Sequence, residues 1–220
     1  SCTVSTNAGY TLTGVSGCGS GSLSGNTYTT PAINAACTVT ASFAVNTYNI
    51  LKQSNPLAGG TVTCTPDPVN HGGSTSCSQT PNAGYTFTNW SGACSGNGAC
   101  APSNVTANLT VTANYTLNTY AVTSTASPTQ GGSVVCTPNP VTHGESTSCS
   151  QTPNAGYTFT GWSGACSGTG ACSITNVTAS QTVTANYSVN TYSILKQSNP
   201  LAGGTVTCTP DPVNHGASTS

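Results

Sequence analysis

The sequence predicts an all-β chain, a tandem array of small units stapled by disulfides. Three observations predict it. The stretch CSQTPNAGYTFTNWSGACSGNGAC at 77–100 returns as CSQTPNAGYTFTGWSGACSGTGAC at 149–172, changed only at Asn89/Gly161 and Asn97/Thr169. The offset of 72 residues runs through the chain. Cys64, Cys136 and Cys208 are in register, as are His71, His143 and His215 and the NTY triplets beginning at Asn46, Asn118 and Asn190. A fixed period of this length marks an array of repeated units. Within a unit, Leu109, Val111, Ala113, Tyr115 and Leu117 alternate with Thr110, Thr112, Asn114 and Thr116. That alternation puts one side of a strand on a core and the other in water. The third observation is 12 Cys at recurring spacing, the pattern of a disulfide framework.

The units follow in order. Residues 1–45 read as the back part of a divergent repeat: Ser1-Cys2 matches Ser76-Cys77, Ala8-Gly9-Tyr10 matches Ala83-Gly84-Tyr85, and Val15 stands where the others have Trp90 and Trp162. Residues 46–117 and 118–189 are full repeats. Residues 190–220 are the front part of another, equal to 46–76 except at Asn49/Ser193 and Gly73/Ala217.

In the first full repeat, strands are expected at 47–53, 61–65, 74–80, 85–90 and 108–117. Thr and Val dominate these runs and both suit strands. Asn55-Pro56, Gly59-Gly60, Pro66-Asp67-Pro68, Gly72-Gly73 and Asn82-Ala83-Gly84 punctuate them as turns. No segment carries helical period with capping signals. Tyr85 and Phe87, with Tyr157 and Phe159 in the second copy, join Trp90 and Trp162 as the core aromatics, because an aromatic in a strand tends to be buried. The alternative for the two Trp is a sugar-stacking platform.

A unit this small buries a thin core and gains from staples. Cys64 and Cys77 flank a Pro-rich turn, so a bridge between them pins a hairpin, worth about 3 kcal/mol in the chain-entropy model. Cys94–Cys100 closes a tight Gly-Ser loop beside Trp90. The same reasoning gives Cys136–Cys149, Cys166–Cys172 and Cys18–Cys37, the last around a longer loop. Cys2 and Cys208 remain. Each is half of the hairpin-type bridge, and an intersubunit Cys208–Cys2 bond is expected between copies. The metal reading of the Cys requires C-x-x-C pairs with partner ligands, and the sequence has none.

The run GGTVTCTPDPVNHGGSTSCSQTPNAGYTFTNWSGACSGNGAC, followed by a strand ending VTANY, resembles the divergent bacterial internalin-type B-repeat (Listeria–Bacteroides repeat) family. The matching pieces are the Gly-Gly-x-Val strand, the AGYTFTxWSG motif and the closing V-T-A-N-Y strand, and the likeness covers nearly all of 46–189. The resemblance implies a β-grasp-like or related small β-domain in extracellular proteins, used in stalks, spacers and adhesive surface modules, with no catalytic residues. Val15 and the rearranged Cys of 1–45 depart from the pattern.

Composition narrows the function. Charged residues are 2% of the chain and the formal net charge is −1, so nothing resembles the Lys/Arg cluster of a nucleic-acid binder. The apolar runs are far shorter than the roughly 20 residues of a membrane span. Disulfides imply an oxidising compartment, hence a secreted or cell-surface protein. There is no initiator Met and no basic-then-apolar leader, so a secretion signal is expected to have been removed or to lie outside this chain.

No catalytic constellation is legible. The acids are Asp67, Glu145 and Asp211 only, and none has a sequence neighbour for acid/base work. His71, His143 and His215 recur in V-x-H-G turns. They read as turn residues that cap local backbone groups, with a metal or pH site as the alternative. Lys52 and Lys196 invite the idea of isopeptide crosslinks, which need a buried carboxylate beside them. Sequons stand at Asn89, Asn104, Asn108, Asn114, Asn176 and Asn186. No enzyme activity, cofactor or metal is expected.

The expected function is structural: a subunit or shaft of an extracellular fibre, assembled head to tail by strand complementation. Copies of the chain itself are the expected partners, with no nucleic acid; a surface glycan or host ligand is unidentified. Residues 1–219 close three registers, so a second copy supplies the missing half of each end unit. The alternative is an adhesive or carbohydrate-binding array within a larger secreted protein. Ice binding by Thr-rich strands fits less well, because ice arrays use short flat repeats.

Overall fold

Val and Thr branch at Cβ, which limits χ1 and favours extended backbone. Their alternating runs fold as strands in the computed structural model, which describes residues 1–220. The only helical segments are single 3-10 turns at Leu57–Gly59, Thr129–Gly131 and Leu201–Gly203. The chain is all-β and forms two compact units, 1–116 and 117–220.

The first unit begins with the divergent part: β1 (Cys2–Thr3), β2 (Tyr10–Gly17), β3 (Ser22–Ser24), β4 (Thr27–Thr29) and β5 (Val39–Val45). β4 pairs antiparallel with both β1 and β3, and β2 with β5. The loop between Cys18 and Cys37 contains the β3–β4 hairpin, for which the other repeats offer no counterpart. Its Tyr28 is 2% exposed and donates its hydroxyl to the Gly17 carbonyl at 2.8 Å. Tyr28 thus supplies the large buried aromatic in a repeat where Val15 has replaced Trp.

The complete repeat follows as β6 (Thr47–Tyr48), β7 (Ile50–Asn55), β8 (Gly60–Thr65), β9 (Val69–Asn70), β10 (Ser76–Pro81), β11 (Tyr85–Gly92) and β12 (Leu109–Leu117). One sheet has the order β11-β12-β7, with β7 parallel to β12 from Ile50↔Leu109 to Asn55↔Asn114. First strand parallel beside last, and last beside its predecessor, is a β-grasp-like arrangement. The β8–β10 hairpin shares the core where a grasp fold usually has a helix. Its Cys64 and Cys77 pack with Ile50, Val69, Trp90, Val105, Val111, Ala113 and Tyr115. Burying Val111 completely is worth about 1.5–3 kcal/mol.

The expected single strand at 47–53 is divided at Asn49. Thr47–Tyr48 pairs with Val69–Asn70 instead, and Asn49 N–H donates to Asn108 Oδ1 at 2.9 Å. Val69–Asn70, placed among the turns by its neighbouring prolines, is therefore a short strand.

The second unit repeats the design with β13 (Thr119–Tyr120), β14 (Val122–Ser127), β15 (Gly132–Thr137), β16 (Val141–Thr142), β17 (Thr147–Pro153), β18 (Tyr157–Gly164), β19 (Cys172–Ile174) and β20 (Gln181–Val189). The sheets are β14-β20-β18 and β15-β17-β19. After them come only β21 (Thr191–Tyr192) and β22 (Val213–Asn214), paired antiparallel. Residues 194–199 and 204–209, which match β7 and β8 letter for letter, form no strands. In the complete repeat those two strands are held by β12 and β10; 190–220 carries no counterpart of β12 and only Ser220 of β10.

Candidate functional site

The most constructed part of each repeat is its stapled hairpin. Cys64 is bonded to Cys77 and Cys136 to Cys149, each pair directly opposite in an antiparallel ladder. Cys94–Cys100 and Cys166–Cys172 close the loops after the Trp strands, and Cys18–Cys37 closes the long loop of the divergent part. Cys2 and Cys208 are free thiols.

Trp90 and Trp162 are 4% and 7% exposed. Their indole N–H groups donate to the Gly98 and Gly170 carbonyls at 3.1 and 3.0 Å. Each ring therefore closes the disulfide loop over itself and offers no face to a sugar. Phe87 and Phe159 pack against these rings, and Tyr85 and Tyr157 lie half-buried at the margin of the same cores.

The few charges are used locally. Lys52 Nζ pairs with Asp67, and Asp67 Oδ1 accepts the Ile50 N–H at 2.9 Å. The Lys52 hydrogen bond, then the Ile50 amide, hold the Asp67 carboxyl below its ordinary value. Lys196 and Asp211 repeat the pair, with Ile194 N–H on Asp211. In the middle repeat Asn139 does the same work uncharged, exchanging hydrogen bonds with Val122 N–H and C=O. The position needs an oxygen to cap the first strand, and the Lys accompanies the acid. These pairs are surface pairs, unlike the buried carboxylate that an isopeptide crosslink requires. Glu145 lies exposed in a turn.

Within each unit, one histidine sits at a joint between repeats: His71 in the first and His215 in the second. His71 N–H donates to Asn46 C=O, Asn46 N–H donates to Gly9 C=O, both at 2.8 Å, and Tyr48 OH meets His71 Nδ1 at 3.2 Å. Thr11 Oγ1 donates to Asn46 Oδ1. Gly9 is at φ +82°, and a Cβ there would lie 2.1 Å from His71 Cδ2. The second unit reproduces this with Gly156, Thr158, Asn190 and His215. The turn role read from sequence was too local for these two: the His71 and His215 rings are the surfaces on which the preceding Ala-Gly-Tyr turns rest. Among the sequon residues, Asn114 and Asn186 are tied by Nδ2 to Ser91 and Ser163, while Asn104 and Asn176 stand exposed at φ +50° and +51°.

Two half-repeats have an edge that nothing within residues 1–220 pairs. β5 carries Val39, Ala41 and Phe43 in the register of Val111, Ala113 and Tyr115, but only β2 pairs with it, and Phe43 is 42% exposed where Tyr115 is 6%. At the other end Leu195 is 94% exposed, against 57% for its counterpart Leu51. Thr209 and Ser220 exchange backbone hydrogen bonds at 3.3 and 3.2 Å, the same pair that Thr65 and Ser76 make in the β8–β10 ladder. The next rung of that ladder is the one that would carry Cys208.

No helix is long and apolar enough to cross a membrane. No curated protein and no solved structure matches the chain. The model of the divergent InlB B-repeat domain matches residues 1–47, 52–119 and 122–191. That family is a non-catalytic repeat domain, and together with the disulfides it points to an extracellular or cell-surface protein. Three tandem matches over most of its length place the chain in the divergent InlB B-repeat family.

Proposed function

We propose that the chain is a structural subunit of an extracellular or cell-surface fibre, joined head to tail by strand complementation. The observation that carries this reading is the fit between its two half-repeats. Residues 204–209 match β8, and residues 1–6 match β10 in sequence register, so the ladder Cys64↔Cys77 becomes Cys208↔Cys2 between copies. β1 uses one edge for β4, as β17 uses one edge for β19 and the other for β15. The incoming strand takes the second edge of β1. Ser1 then occupies the rung that Ser220 holds, and Ser220 is displaced. A backbone ladder contributes affinity and its alternate side chains contribute specificity, as in other donated-strand contacts.

The scarcity of charge supports the same reading. A chain with 2 Lys+Arg and 3 Asp+Glu has little self-repulsion to oppose axial contact. Electron microscopy of purified, oxidised chain tests the proposal. Uniform thin filaments support it. Dispersed particles at every concentration contradict it, and glycan binding by such particles would favour an adhesive module array.

A further inference from the structure

We propose that, in the head-to-tail contact, Phe43 of one copy seats on the Gly203–Gly204 pair of a second copy, while residues 39–42 pair parallel with residues 196–199. This inference rests on the proposed self-association and names the side-chain lock that the backbone ladder lacks.

Both complete repeats show what covers this glycine pair. A Cβ on Gly59 would lie 2.7 Å from the Tyr115 ring, and one on Gly60 would lie 2.6 Å from Tyr115 Cζ. Gly131 and Gly132 stand in the same relation to Tyr187, at 2.9 Å from the ring and 2.6 Å from Cζ. The first glycine of each pair is thus a seat for a ring donated by the last strand, and the second is pressed both by that ring and by the Thr80 or Thr152 carbonyl, 2.4 Å from its Cβ position. In 190–220 the matching glycines have no ring of this chain beside them. A Cβ on Gly203 would meet only Pro200, at 3.6 Å, and one on Gly204 would meet nothing within 4 Å.

The ring that fits stands at the other end of the chain. Phe43 is 72 residues before Tyr115 and occupies the same place in its strand. It lies 42% exposed beside Tyr10, itself 50% exposed. Transferring the β12–β7 register, in which Val111 faces Lys52 and Ala113 faces Ser54, places Val39 opposite Lys196 and Ala41 opposite Ser198. Tyr115 and Tyr187 donate their hydroxyls to the Thr61 and Ser133 carbonyls at 3.2 Å. Phe43 has no hydroxyl, so the Thr205 carbonyl of the second copy receives no such bond, and a Tyr there would supply it.

The test measures non-covalent association by sedimentation equilibrium, in a full-length Cys2→Ser/Cys208→Ser parent that retains the internal disulfides. Phe43→Ala is expected to weaken association about a hundredfold or more, as loss of a buried ring does. Gly203→Ala is expected to weaken it at least about tenfold while leaving the melting of the dissociated chain unchanged, because only Pro200 is near. Phe43→Tyr is expected to strengthen it. Association by the parent that neither Phe43→Ala nor Gly203→Ala alters overturns the inference and leaves head-to-tail assembly standing. A parent that does not associate, and whose wild-type form shows no Cys2–Cys208 bond, overturns both.

Discussion

Phe159 and Trp162 are three residues apart on β18 and still face one core, their ring centroids 5.2 Å apart. In a regular strand residues i and i+3 point to opposite sides. The register shift between Phe159↔Tyr187 and Gly161↔Asn186 inserts an extra residue, and this bulge turns Trp162 inward. Asn186 Nδ2 fastens it by donating to Gly161 C=O and Ser163 Oγ, both at 3.0 Å.

The Trp is therefore expected to act through stability. Trp162→Ala should cost about 3–5 kcal/mol, read as a lower denaturant midpoint at an unchanged slope. Unchanged stability with loss of binding to a sugar array would move Trp162 from core to ligand platform.

Period-2 patterning made the strands legible, and the 72-residue offset made the repeats legible. What lay beyond them has physical causes. The bulge is invisible to alternation, which assigns Phe159 and Trp162 to opposite faces. Val69–Asn70 was hidden by prolines that bend the chain before it. Tyr28 sits in a loop without a counterpart, so no register pointed to it. The Lys52–Asp67 pair had a trace: both residues are absent together in the middle repeat, where Ser124 and Asn139 stand. The joint was hardest to see, because Gly9 and His71 meet only when one repeat is folded against another.

Tyr28 gives the next expectation. Tyr28→Phe removes the donor to Gly17 C=O and should cost about 1–2 kcal/mol. Tyr28→Ala should cost about 3–5 kcal/mol. Protease susceptibility of the Cys18–Cys37 loop, followed with temperature, checks both. Equal effects of the two substitutions would mean that the ring is not packed as described.

Asp67 has a pH signature. Its folded carboxyl titrates below the ordinary value of about 4. Its contribution is therefore complete above that value and is lost as pH falls through the lowered folded value. The wild-type chain should lose stability relative to Asp67→Asn over that acid range. At neutral pH Asp67→Asn should cost only about 0–1 kcal/mol, because Asn139 shows that an amide can cap the same strand. Melting curves of both forms from neutral to strongly acid pH decide it; parallel curves would remove the carboxylate from the account.

The repeat joint predicts coupling between distant residues. Gly9→Ala places a methyl into the His71 ring at a φ that L residues rarely adopt. Part of its cost should vanish in a His71→Ala background, leaving the backbone part. A double-mutant cycle on thermal unfolding should give an interaction energy of about 0.5–3 kcal/mol. Strict additivity would show that the two repeats do not rest on each other there.

The central claim is that one copy completes another, and the bond between Cys208 and Cys2 reports it most directly. Oxidised chain run on denaturing electrophoresis without reductant should give a ladder in steps of 21.7 kDa. Reductant should collapse the ladder to one band, and Cys2→Ser alone should abolish it. A single monomer band without reductant, with two titratable thiols per chain, would contradict the claim. So would high-mass material that reductant leaves intact, which would mean that peptide bonds and not strand exchange join the repeats.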